Sequence, residues 1–389
     1  MIDPERLLRA DIRRMEPYTP IVPFDVLSTR LGRAPEDIVK LDANENPYGP
    51  SPRALAALAA GRYYHIYPDP EANTLRDALA RYTGQPKERL LTGMGADELI
   101  DLVLRAVLGP GDAVIDCPPS FGMYPFSTAV NAGRYVPVPR GDDFSLDVAA
   151  VERAVAAEPQ AKVLFVCSPN NPDGSVVDAA TLRRLLALPL LVVLDEAYID
   201  FAEVDDFPSR LGWVAEHDNL VVLRTFSKLA GLAGLRVGYG AFPAWLLPHL
   251  WKIKQPYNVN VAASLAAVAA LEDEAWLRET VGRIVVERKR IAREAAALDW
   301  LRPFPSWSNF VLCQVGVGLR PASTTVGSAA ELKQALEVEG ILVRYFNKPG
   351  LRDCIRISAG RPEDTERLME ALKRVNSTWM GTDSTDDHG

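Results

Sequence analysis

The chain has 389 residues, 48% of them hydrophobic, with 43 Lys and Arg against 51 Asp and Glu and a net charge of −8. Such a chain suits a globular protein of about two or three domains, neither disordered nor fibrous. Its acidity excludes nucleic acid and anionic membrane as partners, since both ask for a basic surface.

The opening segment MIDPERLLRADIRRMEP is charged and lacks the apolar stretch of a signal peptide. YTPIVPF follows, and its prolines favour extended backbone. Residues 1–40 therefore read as an arm that contributes to a small domain. Between residues 90 and 245 short apolar runs alternate with amphipathic stretches. The runs are Ala113–Asp116, Val163–Cys167, Leu190–Leu194, Leu220–Leu223 and Val237–Ala241, and the helix-like stretches include Ala96–Val107, Leu146–Ala157 and Asp178–Leu188. Apolar runs without alternation suit strands covered on both faces, hence a mostly parallel sheet with helical crossovers. The most apolar window, Leu185–Leu194, contains Pro189 and is far shorter than the roughly 20 residues of a membrane span.

Trp245–Leu298 is helix-like, with Glu272–Ala297 as a long connector. Beyond Pro303 a smaller α/β unit follows: Asn309–Val315, a helix over Ala329–Glu339, Ile341–Tyr345, Cys354–Ser358 and a helix over Glu363–Val375. The expected organisation is an arm (1–40), a large domain (41–275), a small C-terminal domain (276–375) and a disordered polar tail (376–389) carrying Asp383, Asp386 and Asp387. Cys117, Cys167, Cys313 and Cys354 form no C-x-x-C pair, and His65, His217, His249 and His388 are equally scattered. Neither a metal site nor a disulfide framework is expected, and the compartment is expected to be the cytoplasm.

Polar residues stand immediately after three of the apolar runs. Val163–Cys167 ends in Ser168-Pro169-Asn170-Asn171-Pro172-Asp173-Gly174, Leu190–Leu194 in Asp195-Glu196-Ala197-Tyr198, and Leu220–Leu223 in Arg224-Thr225-Phe226-Ser227-Lys228. Ligands of open α/β sheets bind outside the carboxyl ends of the strands, so an amide, a carboxylate and an amine are offered to one cleft. A carboxylate and a lysine that converge suit pyridoxal phosphate, which needs a Schiff-base lysine (Lys228) and an anion on its ring nitrogen (Asp195). Burial and neighbouring positive charge would depress the lysine pKa. Gly93-Met94-Gly95-Ala96-Asp97-Glu98 opens a helix, whose free N–H groups suit a phosphate, with Ser227 and Arg236 as further donors. Glu45, Glu98 and Glu196 read as loop braces.

The order NNPDG, DEAY, TFSK, AGLR resembles the fold-type I pyridoxal-phosphate aminotransferases, a two-domain α/β fold. LDANENPYGP, Tyr67-Pro68-Asp69, Gly95-Ala96-Asp97-Glu98, Val343-Arg344-Tyr345-Phe346 and Ile355-Arg356-Ile357-Ser358 are similar to the histidinol-phosphate aminotransferase family within them. The resemblance spans roughly residues 15–375. It implies transamination between L-histidinol phosphate and 2-oxoglutarate, yielding glutamate. Lys228 would carry the cofactor and shuttle the proton, Asp195 would pair its ring nitrogen, and Asn171 and Tyr198 would bond its ring oxygen. Gly95, Ala96, Asp97, Thr225 or Ser227, and Arg236 would hold its phosphate, and Phe121 would lie against its ring. Tyr67 would reach the phosphate of a neighbouring subunit, which implies a homodimer. Arg344 and Arg356 would bind the substrate, with Tyr18 and Asn44 nearby. Phe121 stands where the family often has Tyr, and Asp173 where it often has Thr, with little effect expected from the latter. The same scaffold serves threonine-phosphate decarboxylases and broad aromatic aminotransferases, which remain alternatives. A non-catalytic ligand sensor is a remote one, because it requires an added basic DNA-binding module.

Overall fold

The structure, a computed structural model, describes residues 4–17, 22, 24–316 and 328–381. Its strands in chain order are β1 (Val39–Leu41), β2 (Leu90–Gly93), β3 (Ala113–Asp116), β4 (Arg134–Pro137), β5 (Ala161–Cys167) and β6 (Leu191–Asp195). They continue with β7 (Leu220–Thr225), β8 (Gly238–Ala241), β9 (Leu301–Pro303), β10 (Phe310–Val315), β11 (Ile341–Tyr345) and β12 (Cys354–Ser358).

A seven-stranded sheet has the order β2-β8-β7-β6-β5-β3-β4. β8 alone runs against its neighbours β7 and β2, and the pairs between β7 and β4 are parallel. The expected parallel α/β sheet is therefore present. Both its faces are buried, and alternate residues of one strand supply different cores. Leu191 and Val193 pack with Leu99, Ile100 and Leu250 on one face, while Val192 and Leu194 join Leu182, Leu185 and Phe201 on the other. Covering on both faces is why these runs show no polar alternation.

After β3 the chain passes outward to β4 and then returns to place β5 on the opposite side of β3. That reversal opens a crevice at the strand carboxyl ends, where ligands of such sheets bind. A five-stranded sheet of order β1-β11-β12-β10-β9 forms the second unit. Its edge strand β1 comes from the arm, running parallel to β11 with Val39 opposite Ile341. Helix Glu274–Ala295 links the two sheets and buries Ile284, Val285 and Ile291.

Helix Pro362–Gly381 runs on past Val375, so the chain is helical over part of the segment expected as tail. Residues 376–380 hold no glycine or proline to end the helix earlier. The acidic end of that tail, with Asp383, Asp386 and Asp387, lies outside the described residues, as does Tyr18.

Candidate active site

Three adjacent strands, β5, β6 and β7, deliver the site. In register, Cys167 of β5 lies opposite Asp195 of β6, and Asp195 opposite Leu223 of β7. Residues following each strand thus emerge side by side. Asn171, Tyr198 and Lys228 line one cleft of about 1390 Å³ together with Asn44, Phe121, Arg344 and Arg356.

Lys228 sits in the helical turn Phe226–Leu229, which Thr225 caps by accepting from the Ser227 N–H at 3.1 Å. Its Nζ donates to the carbonyl of Ala43 at 3.0 Å. Burial first, then the positive charge of Arg356, pushes the amine down from 10.5 to about 8. A sizeable fraction is therefore neutral near physiological pH, as a proton-transfer or nucleophilic lysine requires.

Asp195 is buried at the end of β6. Its Oδ2 accepts from the Tyr124 hydroxyl at 2.8 Å and its Oδ1 from the Ala197 N–H at 3.0 Å. Burial outweighs these bonds and lifts the carboxyl to about 6. Tyr198 packs edge-on to Phe310, and its hydroxyl oxygen accepts from Asn44 Nδ2 at 3.0 Å, so its own proton can point elsewhere. Asn44 holds a left-handed conformation (φ 56°). Its N–H donates to Ser358 Oγ at 2.9 Å, its Oδ1 accepts from that hydroxyl at 2.8 Å, and its carbonyl accepts from Asn309 Nδ2 at 2.9 Å. The small sheet thereby grips the segment that holds Lys228 and Tyr198.

Arg344 and Arg356 are directly opposite on antiparallel β11 and β12. Arg356 is buried, donates to Asn171 Oδ1 at 2.6 Å and to the carbonyl of Asp42 at 2.8 Å, and lies over Phe310 at 5.2 Å. Both guanidiniums lie over Phe346, at 5.4 Å and 5.5 Å. Two like charges side by side repel, which favours an anionic ligand between them. Arg140, Arg302, Lys348 and Arg352 also line this cleft, against Glu16, Asp116, Asp142 and Asp353. The cleft is thus basic within an acidic protein.

Helix Ala96–Val107 does not line this cleft but presents its N-terminus beside it, with Asp97 close enough to Lys228 to raise the pKa of its amine. Gly95 has φ 77°, and a Cβ there would fall 2.6 Å from Arg236 Nη2, so only glycine lets that guanidinium approach. Arg236 donates to Asp97 Oδ2 at 3.1 Å. The Gly95 N–H is taken by the Gly93 carbonyl at 2.8 Å and that of Ser227 by Thr225. The donors this neighbourhood offers a phosphate are therefore the Ala96 and Asp97 N–H groups at the helix start, the Thr225 and Ser227 hydroxyls and the Arg236 guanidinium, with Gly95 allowing close approach.

Tyr67 is not brought to this cleft. It is 80% exposed, stacks on Tyr257 at 4.7 Å, and lines a separate surface cleft with Tyr64, His65 and Asn260. Asp173 braces its loop, accepting from Asn170 Nδ2 and from the Ser175 N–H at 2.8 Å. The glutamates are braces too. Glu98 accepts from the Met94 N–H and Asn258, Glu196 from Ser209 and the Arg210 N–H, and Glu45 pairs with Lys40. Sequence reasoning missed Tyr124, the hydroxyl partner of Asp195. The available signal was a tyrosine in an apolar helix start, whose buried hydroxyl must find a partner. It also missed Ser358 and Asn309, which hold Asn44.

Among the described residues, no group of acidic, His and Cys side chains could hold a metal ion, and no helix is long and apolar enough to cross a membrane.

The sequence profile of the family Aminotransferase class I and II matches residues 36–372. Histidinol-phosphate aminotransferase of Roseiflexus castenholzii is 54% identical, over 95% of this chain and 98% of that one. The chloroplastic histidinol-phosphate aminotransferase of Nicotiana plumbaginifolia is 52% identical, over 95% of this chain and 86% of its own length. Among solved structures, histidinol-phosphate aminotransferase from Sinorhizobium meliloti in complex with pyridoxal-5'-phosphate superposes with a TM-score of 0.83 at 31% identity, covering 95% of this chain and 98% of that one.

Proposed function

This chain belongs to the class I and II aminotransferase family, and on that footing we propose that it uses pyridoxal phosphate to transfer the amino group of L-histidinol phosphate to 2-oxoglutarate, a step of histidine biosynthesis. The donor set fits the cofactor. Asp195 is a buried carboxylate whose hydrogen bonds come from two neutral donors, and its raised pKa marks a site that a cationic N–H would relieve. Asn171 and Tyr198 would hold the ring oxygen, and Phe121 would cover the ring. Gly95, Ala96, Asp97, Thr225, Ser227 and Arg236 would hold the phosphate. When bound, pyridoxal phosphate supplies an electron-poor ring that delocalises the charge left by a broken Cα–H bond.

Lys228, whose amine is pushed down to about 8, takes the proton from the substrate Cα and returns it on the other side of the exchange. The Ala43 carbonyl keeps that amine aimed. Arg344 and Arg356 hold the substrate phosphate in one half-reaction and a carboxylate of 2-oxoglutarate in the other, and Phe346 shields both guanidiniums from water. Asn44 orients the Tyr198 hydroxyl from below.

The observation that carries the substrate assignment is the paired-arginine end of the Lys228 cleft, in a chain more than half identical to the Roseiflexus enzyme. Purified protein with cofactor and 2-oxoglutarate should form glutamate fastest from histidinol phosphate. Carbon dioxide release from threonine phosphate, or a higher kcat/KM for an aromatic amino acid, would overturn the assignment.

The active unit in this reading is a homodimer. Tyr67 lies among exposed Tyr63, Tyr64, Ile66 and Tyr257, an apolar surface of the kind that association covers, and would reach the cofactor phosphate of the other subunit. The four cysteines are free and buried, which suits a reducing compartment, and we place the protein in the cytoplasm. Fractionation that finds it in an oxidising compartment, or in a reducing organelle such as the plastid, would refute that placement.

A further inference from the structure

Tyr124 takes no part in the roles above, yet it is wholly buried and its hydroxyl is bonded to Asp195. It sits in the first turn of helix Met123–Val130, whose Thr128 hydroxyl donates back to its carbonyl at 2.7 Å. Its ring is stacked on Phe165 of β5 at 4.5 Å with 3° between planes, and Phe121 meets it edge-on at 5.6 Å. These contacts leave the hydroxyl one direction, toward Asp195 Oδ2 at 2.8 Å. A packed ring with a directed hydroxyl is a means of setting the state of a carboxylate, not only of filling space.

We infer that Tyr124 is a positioning residue for Asp195: its donated hydrogen bond keeps that carboxylate ionised and aimed, so that the proton shared with the cofactor's ring nitrogen rests on nitrogen. The inference rests on the cofactor reading above. A carboxylate offers about four lone-pair sites, and Tyr124 and Ala197 occupy one on each oxygen, leaving room for the ring N–H. Were Asp195 to hold the proton instead, the ring would lose its positive charge and much of its power to stabilise negative charge at Cα.

The other groups that face Asp195 cannot supply this effect. Asp97, at the start of helix Ala96–Val107, repels it and raises its pKa. Cys167 of β5 and Tyr198 are both pushed up by burial and stay neutral. Leu223, its neighbour on β7, is apolar. Among the described residues, Tyr124 is the side chain that donates to Asp195. Burial and the nearby carboxylate hold the phenol well above its usual range, so it remains a donor throughout.

The test is Tyr124→Phe, which keeps the ring and removes the hydroxyl. Pyridoxal phosphate binding to the apoenzyme is measured against pH by equilibrium dialysis, and the ring nitrogen of bound, 15N-labelled cofactor is followed by NMR. The acid limb of affinity should move up by about one to two pH units, the effect of losing a hydrogen bond to a charged acceptor. The 15N shift should move toward the unprotonated value. Ionisation of the cofactor phosphate is common to all variants and cancels. Phe165→Leu, which loosens the same packing, should lower stability and leave the limb in place. Tyr124→3-fluorotyrosine, a stronger donor of nearly the same size, should move the limb down and keeps the test available if the Phe variant misfolds. A wild-type limb in both Tyr124 variants would overturn the inference, whereas wild-type apoenzyme that fails to bind the cofactor at all would refute the cofactor reading itself.

Discussion

Replacing Lys228 by Met in the cofactor-free protein should stabilise it at neutral pH and destabilise it at high pH. In the folded chain the amine is pushed down to about 8, against 10.5 in the unfolded chain. Below pH 8 both states carry the proton, and the folded state bears the full cost of a confined charge. Between these values the unfolded chain binds more protons than the folded one, so wild-type stability rises with pH and the penalty is relieved. The gap corresponds to about 2–3 kcal/mol, the lower end reflecting the opening of the cleft to water. Met removes that penalty and also the bond to the Ala43 carbonyl, worth about 1 kcal/mol at every pH. The net expectation is a gain of about 1–2 kcal/mol at pH 7 that shrinks and reverses as pH approaches 10.5. Urea unfolding of both apoproteins from pH 7 to 10 measures it, and titrations common to the two chains cancel in the difference. A stability difference that does not vary with pH would refute the reasoning, because it would mean Lys228 titrates alike in both states.

Gly231→Ala should lose about 2 kcal/mol or more by thermal unfolding, since a Cβ at φ +67° would lie 2.3 Å from the Gly49 carbonyl oxygen; Gly234→Ala, with nothing within 4 Å, is the silent control. Arg356→Lys keeps the charge but cannot span Asn171 and the Asp42 carbonyl, so kcat/KM for histidinol phosphate should fall about a hundredfold in steady-state assays, and an unchanged value would remove Arg356 from the binding site. Tyr67→Ala should weaken cofactor affinity about tenfold with little change in stability, the side chain being mostly exposed. With cofactor too dilute to fill the Tyr67→Ala sites, mixing that variant with Lys228→Ala should raise activity, because one site of each hybrid dimer is whole; no gain on mixing under those conditions would show that Tyr67 does not serve a neighbouring subunit.

Much of this protein was legible in its order of residues. Unalternating runs such as Leu191-Val192-Val193-Leu194 announced strands covered on both faces, and the residues following them became the cleft, because a parallel sheet gathers its carboxyl ends along one edge. Asn171, Tyr198 and Lys228 could therefore be named together from three separate stretches of chain. The short edge strands β1, β2, β4 and β9 were not legible: Leu90-Leu91-Thr92-Gly93 has only two apolar residues in a row, and Arg134-Tyr135-Val136-Pro137 is only partly buried and has no apolar run to show. Nor was the helix continuing to Gly381.

Only the tertiary structure decided which side chains meet. Tyr124 and Asp195 are 71 residues apart, and Asn44 is held by Asn309 and Ser358 from the far end of the chain. The same folding set Tyr67 on an outer surface, away from the Lys228 cleft. Local periodicity reports what each segment buries, since it reflects contacts a few residues long. Hydrogen bonds between segments depend on how the sheets close on one another, and that is a property of the whole chain.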